Sequence, residues 1–303
     1  MLPFKLIYHD AYDLNLGSHV FPSRKYKMIH DRLLATGFAQ PEDFLTPQPA
    51  SDEDVLRVHD AAWVRKLKEG TLDYLELMTL EIPYSREMVR AAWLAAGGTI
   101  EAARCALAGG VGFNIGGGFH HAFPDHGEGF CPIHDVAIAI RKMQAERLLR
   151  RAMVIDADVH HGNGTAAIFA GDPAVFTLSI HQYDNYPSQK PPSNVDIHLP
   201  DGAEDAEYLE RLGAAVRQAL CDFHPDLIVY VAGADPYRED QLGGLNLSLE
   251  GLKARDRMVF DWARKSGAPV AVTLAGGYAV QVEDTVTIHC NTAQAAVSYF
   301  AVS

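Results

Sequence analysis

Residues 152–164 read AMVIDADVHHGNG: an apolar run, Ala152 to Ile155, breaks into Asp156, Asp158, His160, His161 and Asn163. A short run of this kind reads as a buried strand. Ligands of open α/β sheets lie beyond the carboxyl ends of the strands, so chemistry is expected in the polar residues that follow. In an extended chain residues two apart share a face, which places Asp156, Asp158 and His160 in one row. Two carboxylates and an imidazole are costly to bury together unless a cation offsets their repulsion, and Asp with neutral His is a natural zinc pair. The structural account of the same residues is helix capping with a turn at 162–164, and a lone Asp-x-His is a weak signal.

Outward from this segment, similar runs recur at Lys5 to Tyr8, Val111 to Ile115, Val175 to Ile180, Leu227 to Ala232 and Val270 to Leu274. Between them helical periodicity covers Arg24 to Thr36, Arg86 to Ala108, Val136 to Arg150, Ala206 to Asp222, Leu252 to Lys265 and Thr285 to Phe300. Strands alternating with helices predict an α/β fold with a mainly parallel sheet covered on both faces. No fixed repeat or low-complexity linker divides the chain, and the Pro-rich 186–192 reads as a surface loop, so one domain over 1–303 is expected.

Three other strand ends are also polar. The run ending at Ile115 opens into Gly116-Gly117-Gly118-Phe119-His120-His121, where glycines permit close approach and paired histidines suit acid and base work near neutral pH. Paired histidines also serve as core groups. The run ending at Ala232 delivers Asp235, either a third metal ligand or a helix N-cap before Pro236. The run ending at Leu274 delivers Gly276-Gly277-Tyr278, whose hydroxyl is placed either to donate to an oxyanion or simply to pack at a turn. Convergence of four strand ends carries the argument that none carries alone.

With 48% hydrophobic and 21% charged residues the 303-residue chain is ordinary for a globular protein with a large core. Its net charge of -13 argues against a nucleic-acid partner and is compatible with cationic substrates. No run approaches the roughly 18 apolar residues of a spanning helix, so neither membrane insertion nor secretion is expected. Cys105, Cys131, Cys221 and Cys290 form no CxxC, which argues against a zinc knuckle or a disulfide framework and for a reducing cytoplasm.

The blocks GGGFHHAFPDHGEGFCPIHD, VIDADVHHGNG, GADPYREDQLGGL and LAGGY, in this order, resemble the zinc-dependent histone deacetylase family over most of the chain. The resemblance implies an arginase/deacetylase-like three-layer α/β fold with a central, mainly parallel sheet of about eight strands. It implies Zn2+ on Asp158, His160 and Asp235, with His121 nearer the role of base and His120 assisting proton delivery to the leaving amine. Tyr278 would polarise the acyl carbonyl. Gly129, Phe130, Leu242, Gly276 and Gly277 would line the substrate channel, with Cys131 following the first pair. Asp156 would pair with His120 and help hold a structural K+ or Na+, together with Asp158, His160, Ser179 and Ile180 in the segment reaching His181.

Asn163 stands where several relatives have an aspartate behind the base histidine, and a neutral amide stabilises an imidazolium less than a carboxylate does. The short chain and the segment 235–245 look most like the class IV branch and its bacterial relatives, some of which prefer long fatty acyl groups. The expected substrate is an acyl-lysine peptide or protein, or a small acylated amine. An acylpolyamine amidohydrolase is the nearest rival, although Leu242 stands where polyamine-selective relatives carry a glutamate, with Glu239 and Asp240 close by. A ureohydrolase would need a second metal-rich Asp cluster, and a catalytically weak acyl-lysine binding module ranks last because no expected group is missing. Tyr183 and Tyr186 are read either as entrance residues or as packed surface aromatics. Oligomeric state is left open.

Overall fold

The computed structural model describes residues 1–301. Its strands are β1 (Lys5–Ile7), β2 (Phe44–Leu45), β3 (Val111–Asn114), β4 (Ala152–Asp156), β5 (Val175–Gln182), β6 (Val195–Leu199), β7 (Leu227–Val231) and β8 (Val270–Thr273). They form one eight-stranded sheet in the order β2-β1-β3-β8-β7-β4-β5-β6. Every pairing is parallel, so the sheet expected to be mainly parallel is wholly so.

Helices α1 (Lys25–Ala35), α2 (Asp52–Val55), α3 (Ala61–Glu69), α4 (Tyr74–Leu80) and α5 (Arg86–Gly109) occupy the first third. They are followed by α6 (Asp135–Ala145), α7 (Asn163–Ile168), α8 (Asp205–Phe223), α9 (Leu249–Ser266) and α10 (Val282–Ala296). Every residue of β3, β4, β7 and β8 is buried, as a parallel sheet covered by helices on both faces requires. No helix among the described residues is long and apolar enough to cross a membrane.

Several boundaries differ from expectation for local reasons. The helix expected to reach Arg150 ends at Ala145, because Arg147 takes a left-handed φ of 60° and Leu148 N donates to Met143 O at 3.0 Å. That closure normally announces itself by a glycine, and here none is present. α9 starts three residues before the expected Leu252, at Leu249, because Ser248 caps it by accepting from Gly251 N at 3.0 Å. α10 starts at Val282, and residues 297–300 tighten into a 3-10 turn instead of continuing it.

The order β3-β8-β7-β4 sets four adjacent carboxyl ends side by side at the middle of the sheet. These are the ends from which His120 and His121, Tyr278, Asp235, and Asp158 with His160 emerge.

Candidate active site

The row expected of Asp156, Asp158 and His160 splits, because β4 ends at Asp156 and the chain beyond it is irregular. Asp156 turns to the β3 loop, where its Oδ2 accepts from His120 Nδ1 at 2.7 Å. Asp158 and His160 turn instead to Asp235, the ligand-type atoms of all three lying within 4.8 Å of one another. No helix begins at Pro236, so capping is not what Asp235 does. Its Oδ1 accepts from Val159 N at 2.9 Å, tying the β7 loop to the β4 loop.

This cluster lacks its own charge balance. Asp235 Oδ2 is buried without a hydrogen-bond partner and lies 3.5 Å from His160 Nδ1, which stands 3.0 Å from Asp158 Oδ1. Burial and the neighbouring Asp158 carboxylate push the Asp235 pKa up. Burial opposes charge on His160, but Asp158 and Asp235 outweigh it and lift its pKa to about 10. Two carboxylates that force a proton onto an imidazole show a demand for positive charge, and two Asp with one His suit a divalent transition ion. The backbone comes close to provide this: a Cβ on Gly276 would lie 1.8 Å from Asp235 Oδ2. Gly276 N donates to Asp158 Oδ2 at 2.9 Å.

The two histidines of the β3 loop are tuned apart. His120 is fully buried, yet the Asp156 and Asp158 carboxylates outweigh burial and raise its pKa to about 9. Burial first, then His120 and His160, hold His121 well below the usual histidine range. Asn163 Oδ1 lies 2.7 Å from His121 Nδ1, while Asn163 Nδ2 donates to Glu128 Oε1 at 2.8 Å. With its amide nitrogen committed to a carboxylate, Asn163 presents oxygen to His121, so Nδ1 carries the hydrogen and Nε2 stays unprotonated.

A cavity of about 420 Å³ opens over these groups. His121, His160 and Tyr278 meet it from within, and Gly129, Phe130, Leu242 and Tyr186 form its walls. Gly129 and Phe130 both take left-handed φ angles, 51° and 67°, unusual for a bulky residue such as Phe and held by N–H bonds to Thr79 O and Leu80 O. Gly276 and Gly277, expected in the channel, come close to the carboxylates and their loop, Gly276 against Asp235 and Asp158 and Gly277 against Ala234 and Thr285. Tyr183 is 54% exposed and packs on His198 away from the cavity. Asp240 does not reach the entrance, since its Oδ1 accepts from Leu242 N and Gly243 N and its Oδ2 from Tyr278 N. The residues expected to hold a monovalent cation are adjacent, Asp156 being in register with Ser179 across β4 and β5.

Several site residues carry no sequence signal. Glu81 and Asn185 line the cavity from loops remote in sequence. Lys25 is fully buried, donates to Ala275 O at 2.8 Å and sits 5.6 Å from the Tyr278 ring centroid, so it braces that aromatic from 250 residues away. Arg255, buried in α9, donates to Ala157 O and Gly233 O, fastening together the loops that carry Asp158 and Asp235. Burial and the charges of Asp158 and Asp235 keep the Tyr278 phenol protonated by raising its pKa.

The family model described as histone deacetylase domain matches residues 19–293. The chain is 40% identical over 287 residues to an uncharacterized protein of Picosynechococcus sp., covering 94% of this chain and 96% of that one. It is 30% identical over 294 residues to Histone deacetylase 2 of Arabidopsis thaliana, covering 90% and 74%. Its fold is similar to the crystal structure of an HDAC homolog from Aquifex aeolicus, with a TM-score of 0.82 and 25% identity over 96% of this chain and 83% of the other. Sequence blocks, sheet and match over most of the length agree: the chain belongs to the histone deacetylase family.

Proposed function

We propose that this protein is a zinc-dependent deacylase that hydrolyses the amide between an acyl group and the side-chain amine of lysine. The observation that carries the reading is Asp235 Oδ2, buried without a hydrogen-bond partner beside Asp158 and His160 under a cavity that His121 and Tyr278 also line. Asp158, His160 and Asp235 would hold the ion, and zinc bound there supplies Lewis acidity toward the acyl oxygen and toward water. His121, neutral with Nε2 unprotonated, accepts the proton of the attacking water. His120, which the Asp156 carboxylate at its Nδ1 favours in the charged form, returns a proton to the departing amine. The Tyr278 hydroxyl donates to the negative charge that develops on the acyl oxygen. Two imidazoles with pKa values pushed in opposite directions are the pattern of an acid and base pair.

Acetyl is the acyl group we assign. An apolar cavity shares Phe130 with the channel and is also lined by Phe21, Tyr26 and Met88, but its free space is about 20 Å³, room for roughly one water-sized group. A long fatty chain has no ready-made space there. Within the same proposal the chain acts as one catalytic domain, Asp156, Asp158, His160, Ser179 and Ile180 hold K+ or Na+, and the four unpaired cysteines suit a reducing cytoplasm. The class IV branch is the proposed subdivision on the strength of segment 235–245.

A second reading has one observation in its favour. Leu242 occupies the wall where a glutamate would select polyamines, yet Glu81 brings a carboxylate to the same cavity from another loop, so acylated polyamines are the alternative substrate. The reading is tested by stripping the protein with a chelator and adding zinc back: acetyl-lysine peptide hydrolysis should vanish and return. Hydrolysis indifferent to both steps overturns the zinc assignment.

A further inference from the structure

A second group of potential metal ligands lies at the opposite flank of β4 from Asp235. His161, His181 and Asp196 each offer a ligand atom, all within 4.8 Å of one another. His161 follows β4, His181 lies on β5 and Asp196 on the edge strand β6. Ser179 is in register with Asp196 and His181 with His198, so these four side chains share one face of the β5–β6 pair, and His161 reaches it from the β4 loop.

The contacts within the group resemble ligands gathered around a centre. His161 Nε2 stands 3.1 Å from Asp196 Oδ1, whose other oxygen accepts from Ser193 N at 2.9 Å. The His161 and His181 rings meet at 81° with centroids 4.6 Å apart. Ligand atoms of a tetrahedral zinc at 2.0–2.1 Å stand about 3.3 Å from one another, close to the His161–Asp196 separation. His161 is completely buried, and its Nδ1 has no partner. A half-buried carboxylate facing a buried imidazole with an unmatched nitrogen is poorly balanced by hydrogen bonds alone.

We infer that His161, His181 and Asp196 form a second metal site, selective for a divalent transition ion of zinc's class, that fastens the loop carrying His160 to the sheet edge. Two nitrogens and one carboxylate oxygen favour such an ion over Ca2+ or Mg2+. Ser179 Oγ lies 2.9 Å from His181 Nδ1, and His198 Nδ1 lies 2.9 Å from His181 Nε2, so a metal on His181 takes the place of one of these contacts while the other orients the ring, as the outer hydrogen bond of a metal-bound histidine does. Access exists, because Asp196 is 17% exposed at its side chain and His198 borders an open surface cavity of about 600 Å³.

The test is zinc per chain, measured by elemental analysis on full-length protein loaded with zinc and dialysed, for the native chain, Asp196→Asn and Asp235→Ala. Two zincs in the native chain and one in each variant is the expected result. One zinc in the native chain that Asp235→Ala removes overturns the inference and leaves the catalytic reading intact. One zinc that Asp196→Asn removes while Asp235→Ala keeps it supports the inference and contradicts the catalytic site. If Asp196→Asn does not fold, Asp235→Ala still decides: one zinc retained supports the second site, and none overturns it.

Discussion

Asn163 Nδ2 donates to Glu128 Oε1 at 2.8 Å, with the amide oxygen turned to His121. The carboxylate that Asn163 seemed to cost the base is therefore present, one residue further out, and it also accepts from Tyr186 Oη at 2.9 Å. Glu128 polarises the amide, which in turn fixes the His121 tautomer. Glu128→Gln should lower kcat/KM by roughly 10- to 150-fold, in keeping with the loss of a charge-assisted hydrogen bond worth about 1.5–3 kcal/mol. Zinc content should not change, and Glu128→Asp should recover part of the loss. A kcat/KM equal to that of the native chain would remove Glu128 from the relay.

Tyr278 is braced by Lys25 on one face and by Asp240 at its backbone, so its hydroxyl is held without help from substrate. Tyr278→Phe should lower kcat by about 10²–10³, the effect of deleting one oxyanion donor, while zinc stays bound. Single-turnover rates check this, and an unaltered rate excludes the hydroxyl from the reaction.

Arg255 is fully buried against Asp256, Ala157 O and Gly233 O. Arg255→Met strands a carboxylate and two carbonyls, and should destabilise the fold by about 3–5 kcal/mol in denaturant unfolding. The lower part of that range is expected, because Tyr230 and Thr292 still donate to Asp256. A change within about 0.5 kcal/mol, the scale of an inert surface substitution, would show that this cation does not secure the two loops.

His59 is buried, and its Nε2 accepts from His134 N at 2.8 Å. Burial depresses its pKa to about 4. The unfolded chain, with a histidine near 6.5, binds more protons than the native state between these values, so stability should fall as pH drops through that window. The contribution is about 3 kcal/mol from this ring. His59→Gln keeps an acceptor without the titration and should flatten the acid limb of a stability profile; an unchanged limb would place the titration elsewhere.

What the sequence made legible and what it hid differ by distance along the chain. Asp158, His160, His120, His121, Asp235 and Tyr278 each follow a buried strand within a few residues, so strand periodicity and polar residue type point to them directly. Glu128, Lys25 and Arg255 act through contacts that span 35 to 250 residues and mark no local pattern. β2 has only two residues, and β6 alternates polar with apolar positions at a sheet edge, so neither stands out as a buried run. Gly276 and Gly277 read as channel residues from sequence because a backbone that approaches a carboxylate and one that borders a cavity call for the same small residue.

The most direct test of deacylation at this site is kcat/KM across acyl-lysine peptides from acetyl to myristoyl, with acetylputrescine alongside, before and after chelation. The acetyl-lysine peptide should be the best substrate, with rates falling as the chain lengthens and disappearing with the metal. Acetylputrescine as the best substrate, or hydrolysis that survives chelation, would contradict the account.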